Sequence, residues 1–131
     1  MKTILHHFAY NIRPNTLEDV LELFELFDCS LAYREGKARW CLIEQKPMPI
    51  DIQIIEVDEK ALNTEKKVNT HIAFISNSPQ DELKKVRAWA ETKDINIIEG
   101  AWSDKELWFD LPDLFVNFVI EIMHSSVVEP G

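Results

Sequence analysis

Four residues carry the chemistry that this sequence suggests: His7, Gln53, His71 and Glu121. The two histidines open strings that answer each other, His7-Phe8-Ala9-Tyr10 and His71-Ile72-Ala73-Phe74, each a histidine followed by an apolar residue, alanine and an aromatic. In a strand, alternate side chains share a face. On that rule His7 falls with Leu5, Ala9 and Asn11 and against Phe8, Tyr10 and Ile12; His71 falls with Ala73 and Ile75 and against Ile72 and Phe74. Gln53 sits with Ile55 and Val57 against Ile52 and Ile54, and Glu121 with Val119 and Met123 against Phe118, Ile120 and Ile122. The bulky faces call for helices, so the four polar groups lie on the faces away from them. Burying a carboxylate or imidazole is costly unless it is paired or ligated, and a divalent cation is the simplest reason for the four to converge. Two imidazoles, one carboxylate and one amide oxygen suit Ni, Co, Zn, Mn or Fe. A register slip of one residue in the first strand would present His6 in place of His7.

The elements that must position these residues read as one motif written twice. Residues 3–12 have strand composition and stop at Arg13-Pro14-Asn15. Asn15 as N-cap with Glu18 at the third helical position forms a capping-box pattern, and Leu17, Val20, Leu21, Phe24 and Phe27 make the buried stripe of a helix. Strand-like runs come next at 31–34, 37–44 and 50–57. The stretch from Asp58 to Lys67 lacks apolar periodicity and reads as a surface link. The pattern then restarts with a strand at 69–76 and a helix capped by Ser78, with Pro79 in its first turn. Leu83, Val86 and Ala90 form its buried stripe, with Trp89 beside it. Strand-like runs at 95–99, 105–110 and about 115–123 complete it, with Gly100 and Leu111-Pro112-Asp113 marking breaks. The expected class is α+β, with tandem βαβββ modules at about 1–58 and 68–126 in one domain, 1–131.

Composition narrows the partners. With 14 Lys+Arg against 23 Asp+Glu, a net charge of −9 and no basic stripe, a nucleic-acid partner is set aside. No leader-like start or apolar run of about 20 residues is present, so no membrane partner is expected and a cytoplasmic location is the default. Cys29 and Cys41 lack metal-type spacing and read as buried reduced thiols. Trp40, Trp102 and Trp108 read as core residues, with lining of an apolar substrate cavity as the sharper alternative. His124 reads as solvent-facing, and Glu44 as a surface carboxylate rather than a second base.

In its order of motifs the chain resembles the vicinal oxygen chelate superfamily, which includes glyoxalases, methylmalonyl-CoA epimerases, fosfomycin-resistance transferases, extradiol dioxygenases and bleomycin-resistance proteins. The resemblance rests on Leu5-His6-His7-Phe8-Ala9, Ile52-Gln53-Ile54-Ile55-Glu56, His71-Ile72-Ala73-Phe74, and Leu111-Pro112-Asp113 through Phe118-Val119-Ile120-Glu121-Ile122. It covers nearly the whole chain. It implies a half-open mixed β-barrel with helices outside and one divalent metal ion held by His7, Gln53, His71 and Glu121. That ligand pattern is similar to methylmalonyl-CoA epimerases, whereas many glyoxalases have Glu where this chain has Gln53. The loop from Asp110 to Asn117 departs from the family's Asp-Pro-Asp-Gly-Asn pattern.

The resemblance implies an isomerase or lyase of glyoxalase or epimerase type. Such an enzyme moves a proton next to a carbonyl through a metal-chelated enediolate of a substrate with vicinal oxygens, Glu121 serving as ligand and catalytic base. Neutral Gln53 in place of a carboxylate leaves the ion the stronger Lewis acid. One alternative keeps His7, His71 and Glu121 as the triad of a dioxygenase or transferase. The other is a non-enzymatic drug- or metabolite-binding protein similar to bleomycin-resistance proteins. A homodimer is implied by the family rather than by the residues.

Overall fold

A computed structural model describes residues 2–128. The chain divides between Lys60 and Ala61 into two compact units. In the first, β1 (His7–Ile12), α1 (Leu17–Glu25), β2 (Ser30–Tyr33), β3 (Trp40–Glu44) and β4 (Asp51–Glu56) build a four-stranded sheet of order β1-β4-β3-β2. The second adds a short helix, α2 (Thr64–Lys67), before β5 (His71–Ser76), α3 (Pro79–Thr92), β6 (Ile98–Ser103), β7 (Glu106–Asp110) and β8 (Val119–His124). Its sheet has the matching order β5-β8-β7-β6. In each unit the first and fourth strands run parallel and the other pairs antiparallel. The fold is therefore α+β, two βαβββ modules of one design. Among the described residues no helix is long and apolar enough to cross a membrane.

Each helix buries its stripe against one face of its own sheet. In the first unit Leu17, Val20, Leu23, Phe24 and Phe27 are buried, as are Ile12, Cys41, Ile43 and Ile54 from the strands. Leu23 takes the place expected of Leu21, which is only half-buried. Phe8 stays 52% exposed although it shares the helix-side face with Ile12. A helix of 9 residues spans about 13 Å, too little to cover a 6-residue strand of about 20 Å. In the second unit Leu83, Val86, Trp89 and Ala90 of α3 are buried, as expected, together with Ile72, Leu107, Phe109, Ile120 and Ile122. Both cysteines are free and buried, and desolvation pushes each thiol up to about 11.

Several expectations change in detail. The first strand begins only at His7, and Ile4 and Leu5 before it are exposed. Asn15 does not cap α1: it adopts a left-handed φ of 62°, and Thr16 occupies the N-cap without a side-chain cap bond. The amide of Leu17 donates instead to Glu56 Oε2 at 3.1 Å, while Glu18 pairs with Arg34 at 2.8 Å. Glu56 Oε1 also meets Arg39 Nε at 3.3 Å, so one carboxylate joins β4, the residue just before β3 and the positive end of α1. Ser78 is the N-cap of α3 by position, again without a side-chain bond. The stretch read as a surface link contains α2, and Lys67 is fully buried. Gly100 lies inside β6 rather than ending a strand, and the last strand starts at Val119 because Leu111, Leu114, Phe115 and Val116 form a buried loop.

Replacing Glu56 with alanine removes the acceptor at the start of α1. The expected loss is about 1–2 kcal/mol of stability in urea unfolding, with Glu56→Gln retaining part of it.

Candidate metal centre

The second module brings two of the four candidate ligands together. Ala73 pairs with Glu121 across the parallel β5/β8 ladder, and Trp108 pairs with Glu121 across β7/β8. Alternation places His71, two residues before Ala73, on the same face. His71 Nε2 lies 3.3 Å from Glu121 Oε1. The other ring nitrogen, Nδ1, lies 3.1 Å from the carbonyl oxygen of Val68. A carbonyl and a carboxylate both only accept, so each ring nitrogen faces an acceptor: the imidazolium donates to both, and a neutral ring to one of them. With the ring neutral and its proton on Nδ1 toward Val68, an imidazole lone pair and a carboxylate oxygen face each other, an arrangement that a cation relieves. Donors bonded at about 2.1 Å to one ion at right angles stand about 3 Å apart, so the observed separation fits two adjacent ligands.

Glu121 is buried, and burial raises its carboxyl above the ordinary value; Glu106 adds to the rise and His71 opposes it. Trp108 helps to keep it dry. Its indole lies across Gly100 of the neighbouring strand, where a Cβ would meet the ring atoms directly. Glycine is thus required in the middle of β6 by a close approach, not by a turn. Trp102 continues this aromatic face, its ring centroid 5.1 Å from His71 and 6.3 Å from Trp108.

The first module repeats the strand arrangement with softer packing. His7 pairs with Asp51 and Ala9 with Gln53 in the parallel β1/β4 ladder, so alternation places His7 and Gln53 on the face away from α1. His7 is exposed, and its Nδ1 stands 3.0 Å from Nδ1 of His6, with the rings edge to face. His6 precedes the strand. Tyr33 and Trp40 stack on one another at 5.8 Å. Glu44 is half-buried, with Lys46 Nζ 3.7 Å away. Among the described residues no group of three or more His, Cys, Asp and Glu side chains is placed to hold a metal ion.

Other residues depart from the sequence reading. Trp40, Trp102 and Trp108 are not core: Trp102 is 41% exposed, the other two are half-buried, and alternation sets them on the faces opposite the helices. His124 is half-buried and accepts from the amide of Ser126 at 3.0 Å, a local cap. Lys67, Asp110 and the Val68 carbonyl carried no sequence signal. Gly100 read as a break between strands rather than as a position inside one. Among the described residues, no Lys or Arg occupies the strand positions that share a face with Gln53 or Glu121.

This geometry sets two measurable outcomes. Because the folded state holds a proton on Glu121 more firmly than the unfolded chain, stability falls as pH rises through the range between the two values. Metal-free Glu121→Gln protein is therefore expected to melt higher than the unaltered protein near pH 8, the gain vanishing toward pH 4. Gly100→Ala should displace Trp108, cost about 1–3 kcal/mol in urea unfolding and shift tryptophan emission toward that of solvated indole.

No protein-family model matches the sequence, and no match among curated proteins is significant. Solved structures do match. The fosfomycin resistance protein FosX from Mesorhizobium loti is similar with a TM-score of 0.57 at 16% identity, over 95% of this chain and 93% of its own. A FosX mutant from Listeria monocytogenes, in complex with Mn(II) and 1S,2S-dihydroxypropylphosphonic acid, gives 0.59 at 17%, over 94% and 93%. An integron cassette protein from the mobile metagenome of the Halifax Harbour sewage outfall gives 0.55 at 14%, over 94% and 99%. At such identities the likeness shows the fold alone: this chain has the fold of the FosX structures.

Proposed function

We propose that the protein is a divalent-metal-dependent isomerase or lyase that moves a proton on a carbon next to a carbonyl, in a small substrate with two vicinal oxygens. The observation that carries this reading is the His71 Nε2 to Glu121 Oε1 pair, with the other ring nitrogen against the Val68 carbonyl. His71 and Glu121 would hold the ion, and His7 and Gln53 would supply the remaining donors, so that both modules serve one site and the chain acts as one domain. The ion, when bound, supplies Lewis acidity toward the substrate's oxygen pair. Glu121 supplies the base. Its burial keeps bulk water from the carboxylate that takes and returns the proton. Gln53, being neutral, leaves the ion's charge less compensated than a carboxylate would. The metal is one of Ni, Co, Zn, Mn or Fe; the FosX neighbours include Mn(II) complexes. A cytoplasmic homodimer belongs to the same proposal.

A fosfomycin-type reaction fits less well. A phosphonate needs cations to replace its water, and the strand faces that carry Gln53 and Glu121 offer no Lys or Arg among the described residues. The same faces carry Glu44, Asp51 and Glu106 beside Trp40, Trp102 and Trp108. The exposed Trp102 therefore favours, as a second reading, a binding protein for a cationic aromatic compound.

Metal analysis and Co²⁺ titration of the purified protein, and then solvent-deuterium exchange into candidate 2-hydroxycarbonyl compounds, test the proposal. Bound or rebindable metal, lost in His71→Ala, and exchange slowed about 10²- to 10⁴-fold in Glu121→Gln are expected. A protein that neither carries nor rebinds a divalent metal overturns it, and tight binding of a cationic aromatic drug by that protein would establish the second reading.

A further inference from the structure

Lys67 and Asp110 are fully buried ionisable residues that take no part in the proposed proton transfer. Lys67 Nζ lies 2.9 Å from Asp110 Oδ1 and donates to the carbonyl of Phe115 at 2.7 Å. The other carboxylate oxygen, Oδ2, accepts from Thr64 Oγ1 at 2.6 Å. Asp110 at the end of β7 therefore grips both ends of α2, Thr64 at its start and Lys67 at its finish. Through Lys67 the same group holds the 111–118 loop. Four residues make little more than one turn, too short to persist unless something outside the helix holds it. The turn matters because it leads directly to His71. Val68, whose amide closes α2 onto Thr64 O at 3.0 Å, supplies the carbonyl that receives His71 Nδ1. The next bonds, from Thr70 N to Lys67 O at 2.9 Å and from Val119 N to Thr70 O at 3.0 Å, carry the chain straight into the β5/β8 ladder.

We infer that Lys67 and Asp110 are positioning residues for His71: their buried ion pair holds the Val68 carbonyl in place, and that carbonyl selects the tautomer whose Nε2 lone pair faces Glu121. A buried ion pair is weak evidence for stability, since apolar replacements of similar volume serve as well or better. A specific geometric task accounts for this one. Among the described residues the first module shows no counterpart: His7 meets His6 rather than a backbone carbonyl, whereas His71 is set against Val68. The role in metal binding rests on the proposed function; the role in tautomer choice does not.

The test replaces the pair with apolar residues, Lys67→Met with Asp110→Leu, which removes the ties without stranding a buried charge. Long-range proton–nitrogen NMR of metal-free protein, with the imidazole neutral, reads which nitrogen of His71 is protonated. The unaltered protein should show Nδ1–H, and the double variant a mixture of both tautomers. Its Co²⁺ affinity should be about 10- to 100-fold lower. If the double variant does not fold, Thr64→Val, which removes one hydroxyl donor from Asp110, should shift the tautomer ratio in the same direction by less. Nδ1–H retained in a folded double variant, or in Thr64→Val when that is the only folded one, overturns the inference. Failure of the unaltered protein to bind Co²⁺ would overturn the metal-dependent reading instead, while the tautomer measurement still decides the role of the pair.

Discussion

The parallel pairing of the first and fourth strands of each module is the constraint on which the rest of the structure depends. Parallel neighbours cannot be joined by a tight turn, so a module must insert a crossover between them, here a helix and two further strands. The helix covers one face of the sheet, and its apolar stripe fills with Ile12, Ile43 and Ile54 in one half and Ile72, Leu107 and Ile120 in the other. The opposite face stays uncovered within the module. Polar side chains in the parallel pair can lie there without displacing the core, and His7 with Gln53, and His71 with Glu121, occupy that face.

The halves share this plan but differ in physical character. In the second, Glu121 is buried beside Trp108, His71 is oriented by Val68, and an ion pair below anchors the turn between them. Low local dielectric makes each of these interactions strong and each unpaired group costly. In the first, His7 is exposed and Gln53 is half-buried and neutral. The second module thus offers an organised pair with one negative charge, the first a looser and uncharged one.

Structural likeness to FosX proteins at 13–17% identity concerns the fold alone. A phosphonate must be received by positive charge. The uncovered faces of this chain instead bear aromatic rings and carboxylates, with Lys67 withdrawn into the interior on Asp110. The same topology can therefore serve a different ligand because the crossover fixes strand order alone, leaving alternate residues on the uncovered face free to vary.

Period-two alternation and the repeated His-x-Ala-aromatic string were enough to establish the module, its duplication and the face on which each candidate ligand lies, because these depend on local geometry that a strand imposes on any sequence. Both helices were legible from their apolar stripes and the breakers before them. Tertiary packing decided the remainder. Asn15 and Glu18 have the spacing of a capping box, yet Glu56, distant in sequence, reaches the helix start because β4 runs beside it. Gly100 resembles a strand end until Trp108 from the adjacent strand needs its missing Cβ. Three tryptophans that hydrophobicity alone assigns to the core lie on the opposite face, because alternation within their strands outweighs their size. Lys67 in a polar stretch looks solvated, and only folding brings Asp110 and the Phe115 carbonyl close enough to replace its water, with Thr64 on the other carboxylate oxygen. Residue type and spacing determined what could bind. Which groups are held, dried and oriented to do so depended on contacts between residues far apart in the chain, which no local pattern encodes.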